Sequence, residues 1–289
     1  MKVSGFTFIK NAVKFDYPIV EAIKSVLPLC DEFILALGNS DDSTEELIKT
    51  IQSPKLKIFN TVWDDTLREG GKVLASETDK ALSHVSKDST WCIYIQGDEC
   101  MHEDDYDTIN RAMKLYENND KVEGLVFNYL HFYGTYDYIS DSFSRYRREV
   151  RIIKNNKSIT SWGDAQGFRK NGEKINVKLI DATIYHYGMV KPPKLQQDRF
   201  KYMHQLWHDE HTVKKMTGEA DDFDYYNNER LIKFNGKHPA AIEGRVKRLS
   251  WELGYDPTLL PLKLKIKIKL YIYKFLGIRI GEYKNFNTI

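Results

Sequence analysis

Short apolar runs alternate with stretches of helical spacing along the first half of the chain. Residues 3–9 are apolar between Lys2 and Lys10, which predicts a strand. Asp16 offers an N-cap with Pro18 in the first turn. Ile19, Ala22, Ile23, Val26 and Leu27 follow at helical spacing, and Pro28 ends the helix. Residues 32–37 predict a second buried strand, and residues 38–42 a polar loop. Ser43 and Glu46 form a capping-box pattern ahead of Leu47, Ile48 and Ile51. Residues 55–62 alternate as a third strand, and Leu74, Thr78, Ala81, Leu82 and Val85 share one face of a helix. Residues 91–95 predict a fourth strand. A helix with Ile109, Ala112, Met113 and Tyr116 comes next, then a strand over 122–130.

This alternation predicts an α/β fold with a mostly parallel sheet flanked by helices. Ligands on such sheets bind beyond the carboxyl ends of the strands, so the loops after Ile9, Leu37 and Ile95 are where chemistry is expected. The second half is less regular. Residues 149–154 and 178–187 predict strands, residues 194–211 a helix, and residues 257–261 a break. The simplest organisation is a domain over residues 1–190, with residues 191–289 as a mainly helical extension packed on it.

Composition removes several alternatives. With 42% apolar and 29% charged residues, the 289-residue chain has globular values, unlike a disordered tail or a coiled coil. A net charge of +2 argues against a nucleic-acid partner. No apolar run approaches the roughly 20 residues needed to cross a bilayer. The opening residues are too quickly charged for a signal peptide. Three cysteines without metal spacing fit a reducing, cytoplasmic setting. The 18 tyrosines suit flat, hydroxyl-rich ligands such as sugars, and equally reflect nothing more than an AT-rich genome.

The predicted fourth strand runs into Gln96-Gly97-Asp98-Glu99. A carboxylate at a buried strand end is costly unless a cation or hydrogen-bond donors satisfy it. Mg²⁺ or Mn²⁺ bridging to a diphosphate would do so. Glu103, Asp104, Asp105 and Asp107 read instead as acids at a helix N-terminus.

The order of motifs resembles the family 2 glycosyltransferases of the GT-A fold. Their first strand carries a pattern similar to Val3-Ser4-Gly5-Phe6-Thr7-Phe8-Ile9-Lys10-Asn11. The following helix resembles Ala22-Ile23-Lys24-Ser25-Val26-Leu27. Their second strand leads from an Asp-Glu pair into a loop similar to Gly38-Asn39-Ser40-Asp41-Asp42-Ser43-Thr44, and their Asp-x-Asp corresponds to Gln96-Gly97-Asp98. The resemblance covers about the first 190 residues. It implies a nucleotide-sugar donor, a glycan or lipid-linked acceptor, inversion at the transferred sugar, and envelope polysaccharide synthesis. It also implies a divalent cation, Mn²⁺ or Mg²⁺, held at Asp98. Phe8, Ile9, Asn11, Lys72, Gln96 and Asp98 become the donor-binding candidates. Two departures matter: the base-binding Asp falls at Leu37 or Gly38, and the first Asp of Asp-x-Asp is Gln96. Base recognition must then differ, with the backbone at Phe8 and Ile9 as a candidate. Arg68, Lys72 and Arg169 are candidate cations for the leaving diphosphate.

An inverting transfer needs a carboxylate within reach of the acceptor proton. In the family it follows a short strand past the middle of the chain. Asp164, in the loop Ser161-Trp162-Gly163-Asp164-Ala165-Gln166, is the only carboxylate between Glu149 and Glu173. Alone it reads as an Asp in a Gly-flanked turn; in the family's context it is the general base. Trp162 beside it can stack on a sugar. His186, in Tyr185-His186-Tyr187-Gly188, is either a second metal ligand or a satisfied structural histidine. His204, His208 and His211 share a helical face, read as an interfacial or acceptor-facing helix rather than a zinc site.

Two questions stay open. Gln96 and the lost base-binding Asp are equally what a degenerate, non-catalytic module that binds a nucleotide sugar or glycan would carry. Residues 262–276 interleave Lys with Leu, Ile, Tyr and Phe, which allows a strand with a Lys face or a helix. Such a segment makes the protein peripheral to an anionic membrane face, or packs on the domain with its Lys residues in water.

Overall fold

The structure, a computed structural model, describes residues 1–64, 66–67, 69–143, 145–208, 210–218, 220–226, 230–259, 264–276, 279 and 283–289. The chain begins as predicted, with β1 (Val3–Ile9), α1 (Ile19–Val26), β2 (Glu32–Gly38), α2 (Thr44–Lys49), β3 (Leu56–Thr61), α3 (Lys72–Ser83) and β4 (Trp91–Tyr94). Then come β5 (Glu99–Met101), α4 (Tyr106–Leu115), β6 (Gly124–Tyr133), β7 (Thr135–Ser140) and β8 (Arg148–Lys154). β9 (Ile159–Trp162), β10 (Gly167–Lys170) and β11 (Glu173–Lys174) make a small separate sheet. The chain closes with β12 (Asn176–Met189), α5 (Pro193–Gln205), α6 (Glu210–Thr217), β13 (Leu231–Lys233), α7 (Glu243–Lys247), α8 (Leu264–Leu276) and β14 (Asn287–Thr288).

The main sheet runs β3-β2-β1-β4-β8-β6-β7-β13. β3, β2, β1 and β4 are mutually parallel, β8 lies antiparallel between β4 and β6, and the long β12 runs parallel to β6. This is the helix-flanked α/β architecture that the alternation predicts. Burial on both faces explains the continuous apolar runs. Phe33, Leu35, Trp91 and Ile93 face a core shared with α1 and α4. Ile34, Ala36, Cys92 and Tyr94 face a second core under α3. All three cysteines are buried and free.

The local expectations fail at three places. Asp16 does not cap α1: it has a left-handed φ of 47°, and its carboxylate pairs with Arg245 at 2.5 Å. Ser43 makes no capping bond; Asp42 Oδ1 accepts from the Thr44 amide at 3.0 Å instead. Residues 194–211 are not one helix, because α5 ends at Gln205 and α6 begins at Glu210. Of the two forms that the C-terminal alternation allows, the structure has the helix, α8. Arg68, Pro261, Leu262 and Lys263 lie outside the described residues.

The later chain packs on the same sheet. Phe132, Tyr136 and Tyr187 form an aromatic core with Ile242 and Trp251, whose indole donates to the Gly134 carbonyl at 3.0 Å. Arg245 bonds Asp16 and lies 3.0 Å from Glu21, tying α7 to the loop after β1 and to α1. No helix among the described residues is long and apolar enough to cross a membrane.

Candidate active site

A cavity of about 230 Å³ opens beyond the carboxyl ends of β1 and β4. β1 contributes Phe8 and Ile9, and the turn after β4 contributes Gln96, Gly97 and Asp98. Asp164 and His186 also reach it, and it is closed by Arg199, Tyr202 and Met203 of α5 with Leu206, the residue that caps its C-terminus. These four recur at i, i+3, i+4 and i+7, so a single helical face forms this wall.

Asp98 is 6% exposed. Burial alone would raise its carboxyl, but the cationic neighbours Arg199 and Lys191 help hold it below the usual carboxylate range. Arg199 bridges Asp98 Oδ2 and the Tyr17 hydroxyl, each at 3.1 Å. Lys191 is fully buried, donates to the Asp16 carbonyl at 2.8 Å, and is pushed down to about 7, chiefly by burial and then by Arg199.

A histidine relay faces the other oxygen of Asp98. Burial, reinforced by His186, holds His131 well below its ordinary pKa, so its ring is neutral. His131 Nε2 lies 2.7 Å from the Tyr146 carbonyl, a contact that only an N–H can make. Its Nδ1 is therefore bare and accepts from His186 Nδ1 at 3.1 Å. His186 is held low by burial too, so its Nε2 carries a lone pair. That lone pair lies 3.7 Å from Asp98 Oδ1. Two acceptors at this separation are within reach of one cation with bonds of about 2.0–2.2 Å. Space is kept open at this point by Gly188, where a Cβ would lie 2.7 Å from Asp98 Oδ2 and 2.9 Å from the His186 ring. An oxygen donor, an imidazole donor and a cradle that a methyl group would fill suit a divalent cation.

Asp164 lies in the turn between β9 and β10. Gly163 and Ala165 flank it in left-handed conformation, at φ 64° and 66°. For Ala165 that conformation is costly, and two anchors hold it. Gln96 Nε2 donates to the Ala165 carbonyl, and Arg151 to the Gln166 carbonyl, at 3.1 and 2.9 Å. Burial raises the Asp164 carboxyl above its ordinary range, which suits a proton acceptor near neutral pH. Glu99 does not join the site. Fully buried, it takes a bidentate bond from Arg151 at 2.9 and 2.8 Å and a third from the Tyr129 hydroxyl. This buried pair braces the start of β5 against β8, so the anchor of Asp164 is itself fixed.

The remaining candidates separate. Phe8 and Ile9 line the cavity, and Phe8 packs on Trp63 with centroids 5.7 Å apart. Gln96 lines it too, with its amide nitrogen engaged by Ala165. Asn11 is absent from the lining: its Oδ1 accepts from the Asp41 amide at 3.0 Å, and its φ of 55° is one that Asn tolerates. Lys72 is exposed at the start of α3, outside the cavity wall. Arg169 is buried and donates to Asn285 and Phe168 carbonyls. Trp162 stays half exposed, 5.0 Å from the Arg169 guanidinium. His204 and His208 stack on each other outside the cavity lining, while His211 belongs to α6. Sequence reasoning missed Arg199, His131, Trp63 and Tyr17. The spacing 199, 202, 203, 206 was the available signal for α5; His131 offered none.

The sequence matches no protein-family model and no curated protein. Among solved structures, S. aureus TarS residues 1–349 shows 11% identity over 75% of this chain and 69% of that one, with a TM-score of 0.36. The 4-diphosphocytidyl-2C-methyl-D-erythritol synthase of Anaerococcus prevotii shows 10% identity over 70% and 94%, at 0.39. A putative glucose-1-phosphate thymidylyltransferase of Bacillus anthracis shows 10% identity over 92% and 99%, at 0.34. These are distant likenesses.

Proposed function

We propose that this protein is a glycosyltransferase that moves a sugar from a nucleotide-sugar donor to a hydroxyl of a glycan or lipid-linked acceptor. We further propose inversion at the transferred carbon and a role in envelope polysaccharide synthesis. One observation carries the reading. The Asp98 carboxylate and the His186 lone pair face each other in the cavity whose wall also holds Asp164. Asp98 and His186 would hold Mn²⁺ or Mg²⁺. Bound there, the ion would neutralise charge on the donor diphosphate. With two protein ligands, the rest of its shell would be phosphate oxygens and water.

The chain's own groups supply the remaining work. Arg199 brings a permanent cation to the same wall for the departing phosphate oxygens. Asp164 takes the acceptor proton as the hydroxyl oxygen attacks the anomeric carbon and the bond to the diphosphate breaks. Phe8 and Trp63 offer an aromatic wall for the nucleotide base, in keeping with the missing base-binding Asp. Residues 1–190 would carry the donor site, and residues 191–289 would close it through α5.

A second reading, a binding module without turnover, is favoured by the Asp98–Arg199 pair, which satisfies the carboxylate without a metal. A thermal-shift screen of nucleotide sugars with and without Mn²⁺ finds the donor by linkage. Release of nucleoside diphosphate from that donor then separates the two. Release supports the transferase; stabilisation without release, across acceptor mixtures, supports the module.

A further inference from the structure

α8 resolves the C-terminal alternation into a helix with an apolar stripe turned to solvent. Leu264, Ile268, Tyr271 and Phe275 recur at i, i+4, i+7 and i+11, and are 73, 52, 66 and 63% exposed. The opposite side packs on Phe143 and Arg147, in the connection between β7 and β8. Tyr273 accepts from Arg147 at 2.9 Å, and the Lys269 ammonium lies over the Phe143 ring at 5.6 Å. An exposed stripe of this kind has a cost in water that an uncovered helix does not recover.

The charges around it identify what covers it. α8 carries four lysines and no acid, in a chain whose net charge is only +2. Lys267 and Lys274 border the stripe on one side and Lys265 on the other, the arrangement of a helix lying in a bilayer interface with its lysines reaching the headgroups. The supporting loop adds Arg145 and Arg147. A second copy of the chain would set lysines against lysines; an anionic surface complements them.

We infer that α8 docks on an anionic lipid surface, with Leu264, Ile268, Tyr271 and Phe275 as the inserted face. Position gives the contact a use, which rests on the transferase reading. The loop under α8 also carries Tyr146, which lines the cavity and whose carbonyl fixes the His131 relay. Docking would therefore hold the cavity beside the membrane, where a lipid-linked acceptor lies.

The test is sedimentation with phosphatidylglycerol-containing and pure phosphatidylcholine vesicles, at low and high salt. Wild-type protein should bind the anionic vesicles and lose most binding in salt. Lys265→Gln, Lys267→Gln and Lys274→Gln combined should weaken binding by about tenfold or more. Ile268→Ser with Phe275→Ser should nearly abolish it. Melting curves check that both variants fold, and the Gln set alone suffices should the Ser pair not. Wild-type protein that ignores anionic vesicles, or variants that bind as well as wild type, would overturn the inference. So would self-association that the Ser pair removes. Binding is read without donor or acceptor. Failure here leaves the transferase reading standing, and vesicle binding without nucleoside diphosphate release leaves this inference standing.

Discussion

The Nδ1 atoms of His131 and His186 lie 3.1 Å apart, and the Tyr146 carbonyl decides which of them donates. The consequence appears one ring further on, where His186 offers Asp98 a lone pair instead of a proton. His131→Phe keeps an aromatic ring at this site and removes the acceptor. His186 is then free to adopt the other tautomer, and cation affinity should fall about 10–100-fold, the usual cost of losing a group that orients a ligand. The readout is the Mn²⁺ concentration for half-maximal thermal stabilisation in the presence of nucleoside diphosphate. An unchanged value would refute the relay.

Gln96 stands where the resembling family has an Asp, yet its amide nitrogen holds the Ala165 carbonyl and hence the turn of Asp164. Gln96→Asp therefore should not restore a metal ligand at no loss. It removes a donor and sets a carboxylate toward a carbonyl. Turnover should fall about tenfold, the scale of one lost hydrogen bond, and added Mn²⁺ should not recover it. Faster turnover in this variant would contradict the assignment.

For Asp164, the Asn variant keeps shape and removes basicity. Turnover should drop by about 10² or more, with the donor KM little changed. Burial raises this carboxyl, so the active, ionised form persists above its folded pKa and is lost as pH falls through it. The acid limb of the wild-type profile should lie above the ordinary carboxylate range and vanish in Asp164→Asn. A retained limb would move the base elsewhere.

Glu149, buried beside Gln166 and Asn285, is pushed up to about 7 by burial. The folded state then holds a proton that the unfolded chain releases at lower pH. Stability from this group is complete below about 4.5 and is lost as pH rises through about 7. Glu149→Gln should stabilise the protein at pH 8 by on the order of 2 kcal/mol and flatten that dependence. Urea melts at pH 5 and pH 8 provide the check; equal stability of both proteins at pH 8 would contradict it.

The parallel half of the fold was legible because its strands are buried on both faces, so β1, β2 and β4 read as apolar runs with turns between them. β7 and β9 were not, since Thr135-Tyr136-Asp137-Tyr138 and Ile159-Thr160-Ser161-Trp162 alternate too briefly to be told from loop. Sequence reasoning singled out Asp98, Asp164 and His186, and these three line the cavity. Asn11 drew attention as the last position of the first-strand motif and Lys72 as a cation for the leaving diphosphate, whereas only tertiary folding reveals that Asn11 serves its neighbouring loop. Arg199 and His131 were hidden because their partners are 101 and 55 residues away in sequence.

The proposed transfer needs a cation held between Asp98 and His186. Calorimetric titration of nucleoside diphosphate into the protein, with Mn²⁺ and then with chelator, addresses it without needing the acceptor. Wild-type affinity should be at least about tenfold higher with Mn²⁺. Asp98→Asn and His186→Ala should lose that enhancement while retaining a native melting transition. Equal affinity with and without Mn²⁺ in the wild type, or an enhancement that survives both substitutions, would contradict it.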